Sequence, residues 1–223
     1  MAVCALVGAG PFNGECFRAR YAAGAFARVV AVDGGFAALE SVGCVPDAVM
    51  GDFDSLGYVP QVPDAVEVFE YPTHKDESDM ELALRLAQER GFEAVEVYGA
   101  IGGRLDHTLA NLQLLARFSE AGLRVTAVDL VEAERSTSAV GTALTFLTGP
   151  AKLKLEPHPG ETVSVFSLSD ESHDVTETGL AYPLDHVVLM NRTSWGLSNE
   201  FTNAPATISV ATGTLVVFHP LFL

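Results

Sequence analysis

Apolar residues fall in short, nearly unbroken runs up to Val128: Val3–Val7, Val29–Val32, Ala48–Met50, Val66–Tyr71, Ala94–Tyr98 and Val125–Val128. Runs of this length, rich in branched side chains, predict parallel strands buried on both faces. Between several of them the period lengthens to that of a helix. Ser78-x-x-Glu81 is a capping box opening a helix that runs to about Arg90, where Gly91 supplies the stop. A second helix is expected to place Leu105, Leu109, Leu112 and Ala116 on one face and to end before Gly122. Strand and helix in alternation predict an α/β fold, a doubly wound and mainly parallel sheet.

The pattern changes near Glu134. Ser136 to Gly149 is rich in Ser, Thr, Ala and Gly and carries no charge. Beyond it, Lys152–Leu155, Thr162–Leu168, Thr207–Ala211 and Thr214–Phe218 alternate over short lengths, with turn formers such as Pro157 to Gly160 between them. Short alternating segments without a helical period predict a smaller all-β sandwich domain. The expected division is 1–134 for the α/β domain and 135–223 for the sandwich.

Composition narrows the partners. The chain has 223 residues with a formal net charge of −16, which excludes nonspecific nucleic-acid binding and attraction to an anionic membrane. Cys4, Cys16 and Cys44 are odd in number and lack CxxC spacing, so neither a disulfide framework nor a cysteine zinc site is expected. The first residues lack a basic segment and read as a strand, and no apolar run approaches membrane-spanning length, so the cytoplasm is the expected compartment.

The chemistry lies in acids that follow the strand runs. Asp33 stands in VDGG, Asp52 and Asp54 in GDFDS, Asp76 and Asp79 in KDESD, and Asp106 in GGRLDH. In an open parallel sheet ligands bind beyond the C-terminal strand ends, so all six are expected to line one edge. Clustered carboxylates need a cation to offset their repulsion, and oxygen ligands favour Mg²⁺, Mn²⁺ or Ca²⁺ over zinc. Helix capping is the structural alternative for Asp79 and Asp106. Gly34, Gly35, Gly102 and Gly103 are expected at the same edge, where backbone N–H groups can approach an anion. Arg104 is placed to fork onto a phosphate, and Lys75 to add a point charge. No Walker A sequence is present, and Gly8-Ala-Gly10 is only a fragment of a dinucleotide fingerprint, set aside as weak.

These residues resemble the thiamine pyrophosphokinase family. The match rests on DGG at 33–35, GDFDS at 51–55, KDESDMELAL at 75–84 and GGRLDHTLANL at 102–112. It continues with TGLAYPL at 178–184 and GLSNEF at 196–201. Ser78 stands where the family more often has Thr, which keeps the capping hydroxyl, and Leu184 to Gly196 gives no clear match. The resemblance implies an α/β nucleotide domain followed by a β-sandwich. It implies a homodimer, with thiamine in a cleft between the α/β domain of one subunit and the sandwich of the other. It implies pyrophosphoryl transfer from ATP to the thiamine hydroxyl. By family position, Asp52, Asp54, Asp76, Asp79 and Asp106 carry Mg²⁺ and the ATP phosphates, and Ser198 and Asn199 meet the thiamine pyrimidine. Asn offers both a donor and an acceptor to an aminopyrimidine edge. Tyr182 and Trp195 are candidates for an aromatic wall against the cationic thiazolium, with sandwich core as their alternative. Asp79 or Asp106 is the candidate to orient the hydroxyl or take its proton. Two rivals stand beside this reading. DFDS resembles the nucleophile motif of haloacid-dehalogenase-type phosphatases, and a non-catalytic thiamine- or nucleotide-binding module is the other.

Overall fold

The first strand runs out of β1 (Val3–Val7) into a loop and α1 (Gly14–Ala22), and three further strands follow: β2 (Arg28–Val32), β3 (Ala48–Gly51) and β4 (Glu67–Glu70). Helix α2 (Gly35–Ser41) lies between β2 and β3 in the chain. Then come α3 (Asp79–Glu89), β5 (Ala94–Tyr98), α4 (Leu105–Glu120) and β6 (Arg124–Asp129). The computed structural model describes residues 2–53, 57–58, 60–130 and 139–222. The chain divides into two compact units, one built from Met1–Leu114 and Val125–Leu130, the other from Leu115–Arg124 and Val131–Phe222.

In the first unit the strand order is β6-β5-β1-β2-β3-β4, with β1 parallel to both β2 and β5, and β2, β3 and β4 parallel in succession. From β1 the chain therefore winds one way to β4 and then crosses back to β5 on the other side. β3 and β5 are buried at every residue, as expected of strands covered on both faces. The Val66–Tyr71 run is different. Its strand, β4, alternates between exposed and half-buried positions because it forms the edge of this order.

Helix α3 follows its sequence closely. Ser78 Oγ accepts the N–H of Glu81 at 3.3 Å, Met80, Ala83, Leu84 and Ala87 are buried at helical spacing, and Gly91 ends the helix with a left-handed φ of 79°. Helix α4 corrects its expectation. Leu105 is 84% and Leu109 59% exposed, while Leu115, Ala116 and Phe118 are buried. Only its last turns are covered, and apolar period alone does not tell which part of a helix meets a neighbour.

The second unit is the all-β sandwich. Its strands are β7 (Gly141–Thr148), β8 (Ala151–Leu155), β9 (Thr162–Ser167), β10 (Glu171–Thr178), β11 (Leu184–Met190), β12 (Asn199–Glu200), β13 (Ala206–Val210) and β14 (Thr214–Leu221). One sheet has the order β12-β9-β14-β7 and the other β11-β10-β13-β8. Val163, Val165, Val175, Leu189, Phe201, Ile208, Leu215 and Val217 fill one core cluster. The boundary expected at 134/135 lies outside the described residues, and Leu115–Arg124 belongs to this unit instead of the first.

Candidate functional site

The winding of the first unit reverses between β1 and β5, and a cavity of about 840 Å³ opens there, beyond the C-terminal strand ends. Gly8, Gly10 and Pro11 follow β1, Asp33 follows β2, Asp52 follows β3, and Gly99 and Ala100 follow β5; all line it. The two central loops touch backbone to backbone. Gly8 N–H donates to Tyr98 O and Gly10 N–H to Gly99 O, each at 2.8 Å. A Cβ on Gly99 would stand 2.4 Å from Gly8 O, and its φ of 63° is left-handed, so only glycine lets the loops close this tightly. The rim from Gly102 to Arg104 is pinned by α4: Thr108 Oγ1 donates to the carbonyls of Gly102 (3.2 Å) and Arg104 (3.1 Å), and Asn111 Nδ2 to Ala100 O at 2.7 Å.

Inside the cavity two acids share one cation. Lys75 Nζ lies 3.0 Å from Asp79 Oδ1 and 3.8 Å from Asp52 Oδ2. All three side chains are largely covered, at 14%, 18% and 10% exposure for Lys75, Asp79 and Asp52. Burial pushes the Asp79 carboxyl above the usual carboxylate range; Lys75 pulls it back, and Asp52 and Asp33 add to the rise. Asp106 behaves oppositely. Its exposed carboxylate takes the Arg104 fork at 2.7 and 3.2 Å and the His107 N–H at 3.0 Å, which hold it down at about 2.

In the second unit a polar cluster surrounds Asn199, which is 6% exposed. Asn199 Oδ1 accepts the N–H of Tyr182 (3.0 Å) and of Glu200 (2.9 Å), while Nδ2 donates to Tyr182 O (2.8 Å) and Glu177 Oε2 (3.1 Å). Next to it Ser198 has a φ of 57° and gives its N–H to Ser164 Oγ at 2.9 Å. Tyr182 and Trp195 are 69% and 54% exposed, so neither is sandwich core.

Comparison with known proteins settles the ancestry. The family model for the thiamin pyrophosphokinase catalytic domain matches residues 22–127, and that for the thiamin pyrophosphokinase vitamin B1 binding domain matches 151–215. The chain belongs to the thiamin pyrophosphokinase family. A thiamine pyrophosphokinase from Bacillus subtilis (strain 168) is 27% identical over 196 residues, covering 85% of this chain and 86% of that protein. The crystal structure of a thiamin pyrophosphokinase from Geobacillus thermodenitrificans superposes with a TM-score of 0.76 at 27% identity, over 98% of this chain and 97% of that one. That of the Bacillus subtilis enzyme gives 0.75 at 22% identity, over 99% and 100%, a likeness of fold.

Within this thiamin pyrophosphokinase family member the expected site is only partly gathered. Asp33, Asp52, Lys75, Asp79, Gly102, Gly103 and Arg104 line one cavity, as the strand-end argument requires. Asp76 and Asp106 do not line it, both being exposed, and Asp54 lies outside the described residues. Gly34 and Gly35 do not line it either; a Cβ on Gly35 would stand 1.8 Å from Val7 O, so this glycine serves the packing of α2 on β1. Among the described residues no three His, Cys, Asp or Glu side chains form a group able to hold a metal. Asp52 and Asp79 nonetheless fit Mg²⁺, which takes one or two carboxylates and completes its shell with water and phosphate. Their sharing of the Lys75 ammonium shows that this place calls for positive charge. The Asn199 amide makes four bonds inside the protein, to Tyr182, Glu200 and Glu177. Sequence reading missed Gly8, Gly10, Thr73 and Asn111 in the cavity wall. The fragment set aside, Gly8-Ala-Gly10, was the one signal for the first two. GDFDS follows the third strand, where the phosphatase rival has its motif on the first, and no comparison supports that rival.

Proposed function

We propose that this chain transfers a pyrophosphoryl group from ATP to the hydroxyl of thiamine, giving thiamine diphosphate and AMP. The observation that carries the reading is the pair Asp52 and Asp79, brought to one cation in a cavity at the sheet's switch point, in a chain whose two halves match the catalytic and the vitamin-binding models of one family. In this reading the cavity holds ATP. The amides near Gly10 and Gly103, with Lys75 and Arg104, take the phosphates. Asp52 and Asp79 hold Mg²⁺, with Asp54, Asp76 and Asp106 as further candidates by family position. The metal supplies neutralisation of charge spread over the phosphate oxygens. Asp79 or Asp106 is the group assigned to orient the thiamine hydroxyl and accept its proton. Tyr182, Trp195 and Ser198 face the vitamin, and Asn199 shapes that surface from behind.

The family resemblance adds a homodimer. The exposed leucines of α4 are consistent with a second copy. No helix among the described residues is long and apolar enough to cross a membrane. The deciding experiment mixes the pure protein with ATP, Mg²⁺ and thiamine. Thiamine diphosphate and AMP in equal amounts support the reading. Release of ADP or phosphate, or an aspartyl-phosphate trapped on Asp52, would overturn it.

A further inference from the structure

Glu177 has no part in the reading so far, and its position in the sandwich is unusual. It is 1% exposed, and its side chain points inward from β10 like Val175 two residues before it. Its strand partners are Leu184 on β11 and Ile208 on β13, both members of the apolar core. A carboxyl among such neighbours is costly unless something answers it. Glu96 in the first unit, 6% exposed, is answered by the Arg20 fork at 2.6 Å and by the Tyr98 hydroxyl. Among the described residues no cation pairs with Glu177. Its Oε1 is buried with no hydrogen-bond partner among the described residues, while Oε2 accepts from the Asn199 amide at 3.1 Å.

That contact leads straight to the vitamin-facing surface. Asn199 grips both backbone groups of Tyr182, the N–H through Oδ1 and the carbonyl through Nδ2. A side-chain amide can be turned over, which exchanges its donor and acceptor ends. Turned over, Asn199 would present NH₂ to two backbone N–H groups. Glu177 Oε2 accepts from the second Nδ2 hydrogen and so locks the amide the right way round.

We propose that Glu177 is a positioning residue for the thiamine subsite, fixing the Asn199 amide that holds the Tyr182 segment in place. The inference rests on the functional reading above. It predicts an effect on thiamine affinity that bypasses ATP. Glu177→Gln keeps an acceptor oxygen for Asn199, whereas Glu177→Met removes it and suits the apolar surroundings. Val175→Ala, a core truncation on the same strand without a link to Asn199, measures general loosening.

The test is steady-state kinetics on the full-length enzyme with both substrates varied. Glu177→Met is expected to raise KM for thiamine at least fivefold, with KM for ATP and kcat within about twofold, while Glu177→Gln stays within about twofold of the parent throughout. Calorimetric titration with thiamine alone should show the same ranking without turnover. The proposal is overturned if Glu177→Met leaves thiamine affinity unchanged, or if Val175→Ala raises the thiamine KM as much. A parent protein that makes no thiamine diphosphate fails the functional reading itself, a result distinct from an active parent with an indifferent Glu177→Met.

Discussion

Asp52 and Asp79 are the residues on which turnover should depend most. Each replaced by Asn is expected to lose at least about a hundredfold in kcat, because charge placed for the transition state is removed from a covered site. The melting temperature should hardly fall, since the change also relieves two crowded acids; near-parent activity in both variants would refute the assignment. Glu177 offers a pH test of its own. Burial pushes its carboxyl from 4.5 up to about 7, with the Asn199 amide pulling the other way. The folded state then keeps a proton that the unfolded chain has lost, so stability falls as pH rises between those values and levels off above them. The size is about 3 kcal/mol, and urea midpoints across that range should show a decline that Glu177→Gln flattens. An identical slope in both proteins would reject it. At this scale the sequence was legible where residue type sets the chemistry, as with the acids after strands. It was not legible where neighbours decide. Nothing in TGLAYPL or GLSNEF says that the Asn199 amide is spent inside the protein, because its four partners come from Glu177, Tyr182 and Glu200 in the folded chain.

Among the elements, α3 and α4 show the two sides of reading a helix from its pattern. The start of α3 is written locally, in Ser78 and the N–H of Glu81, and the prediction that follows is local too. Ser78→Ala should cost about 1 kcal/mol of stability. It should also raise KM for ATP, because the first residue of that helix is Asp79. Thermal melting and ATP kinetics check the two halves; loss of neither would show the cap to be idle. Helix α4 has an equally clear apolar period, yet its covered portion is not the one the period favoured. Leu115→Ala, at 0% exposure, should cost about 2–5 kcal/mol, and Leu109→Ala, at 59%, less than about 1 kcal/mol in a monomeric preparation. Equal costs in denaturant titration would return Leu109 to the core. The same gap explains β4, whose apolar run reads as a buried strand but occupies an edge. Strand order comes from crossings between distant segments, and a run of valines does not record which neighbour it will have.

For the molecule as a whole, the two-part organisation was visible as a change from mixed to alternating pattern. The expected 134/135 boundary lies outside the described residues, and Leu115–Arg124 groups with the second unit through contacts such as Ser119 Oγ with Thr148 Oγ1 at 2.8 Å. Net charge, by contrast, is a property of the sequence alone and yields a test of the whole functional reading. A protein of net charge −16 repels a polyanion and attracts a cation at long range. The cavity does little to reverse this, since Lys75 is matched by Asp79 and Arg104 by Asp106. Added salt screens charges farther apart than about 10 Å at 0.1 M. Raising ionic strength at fixed free Mg²⁺ should therefore increase kcat/KM for ATP and decrease it for thiamine, each by about two- to fivefold between roughly 20 and 200 mM. Opposite signs for the two substrates are difficult to obtain from a change in fold or in kcat, which would move both together. A common direction would mean that the field around the site is set by groups other than those identified, and that the two substrates do not arrive as an anion and a cation at one acidic enzyme.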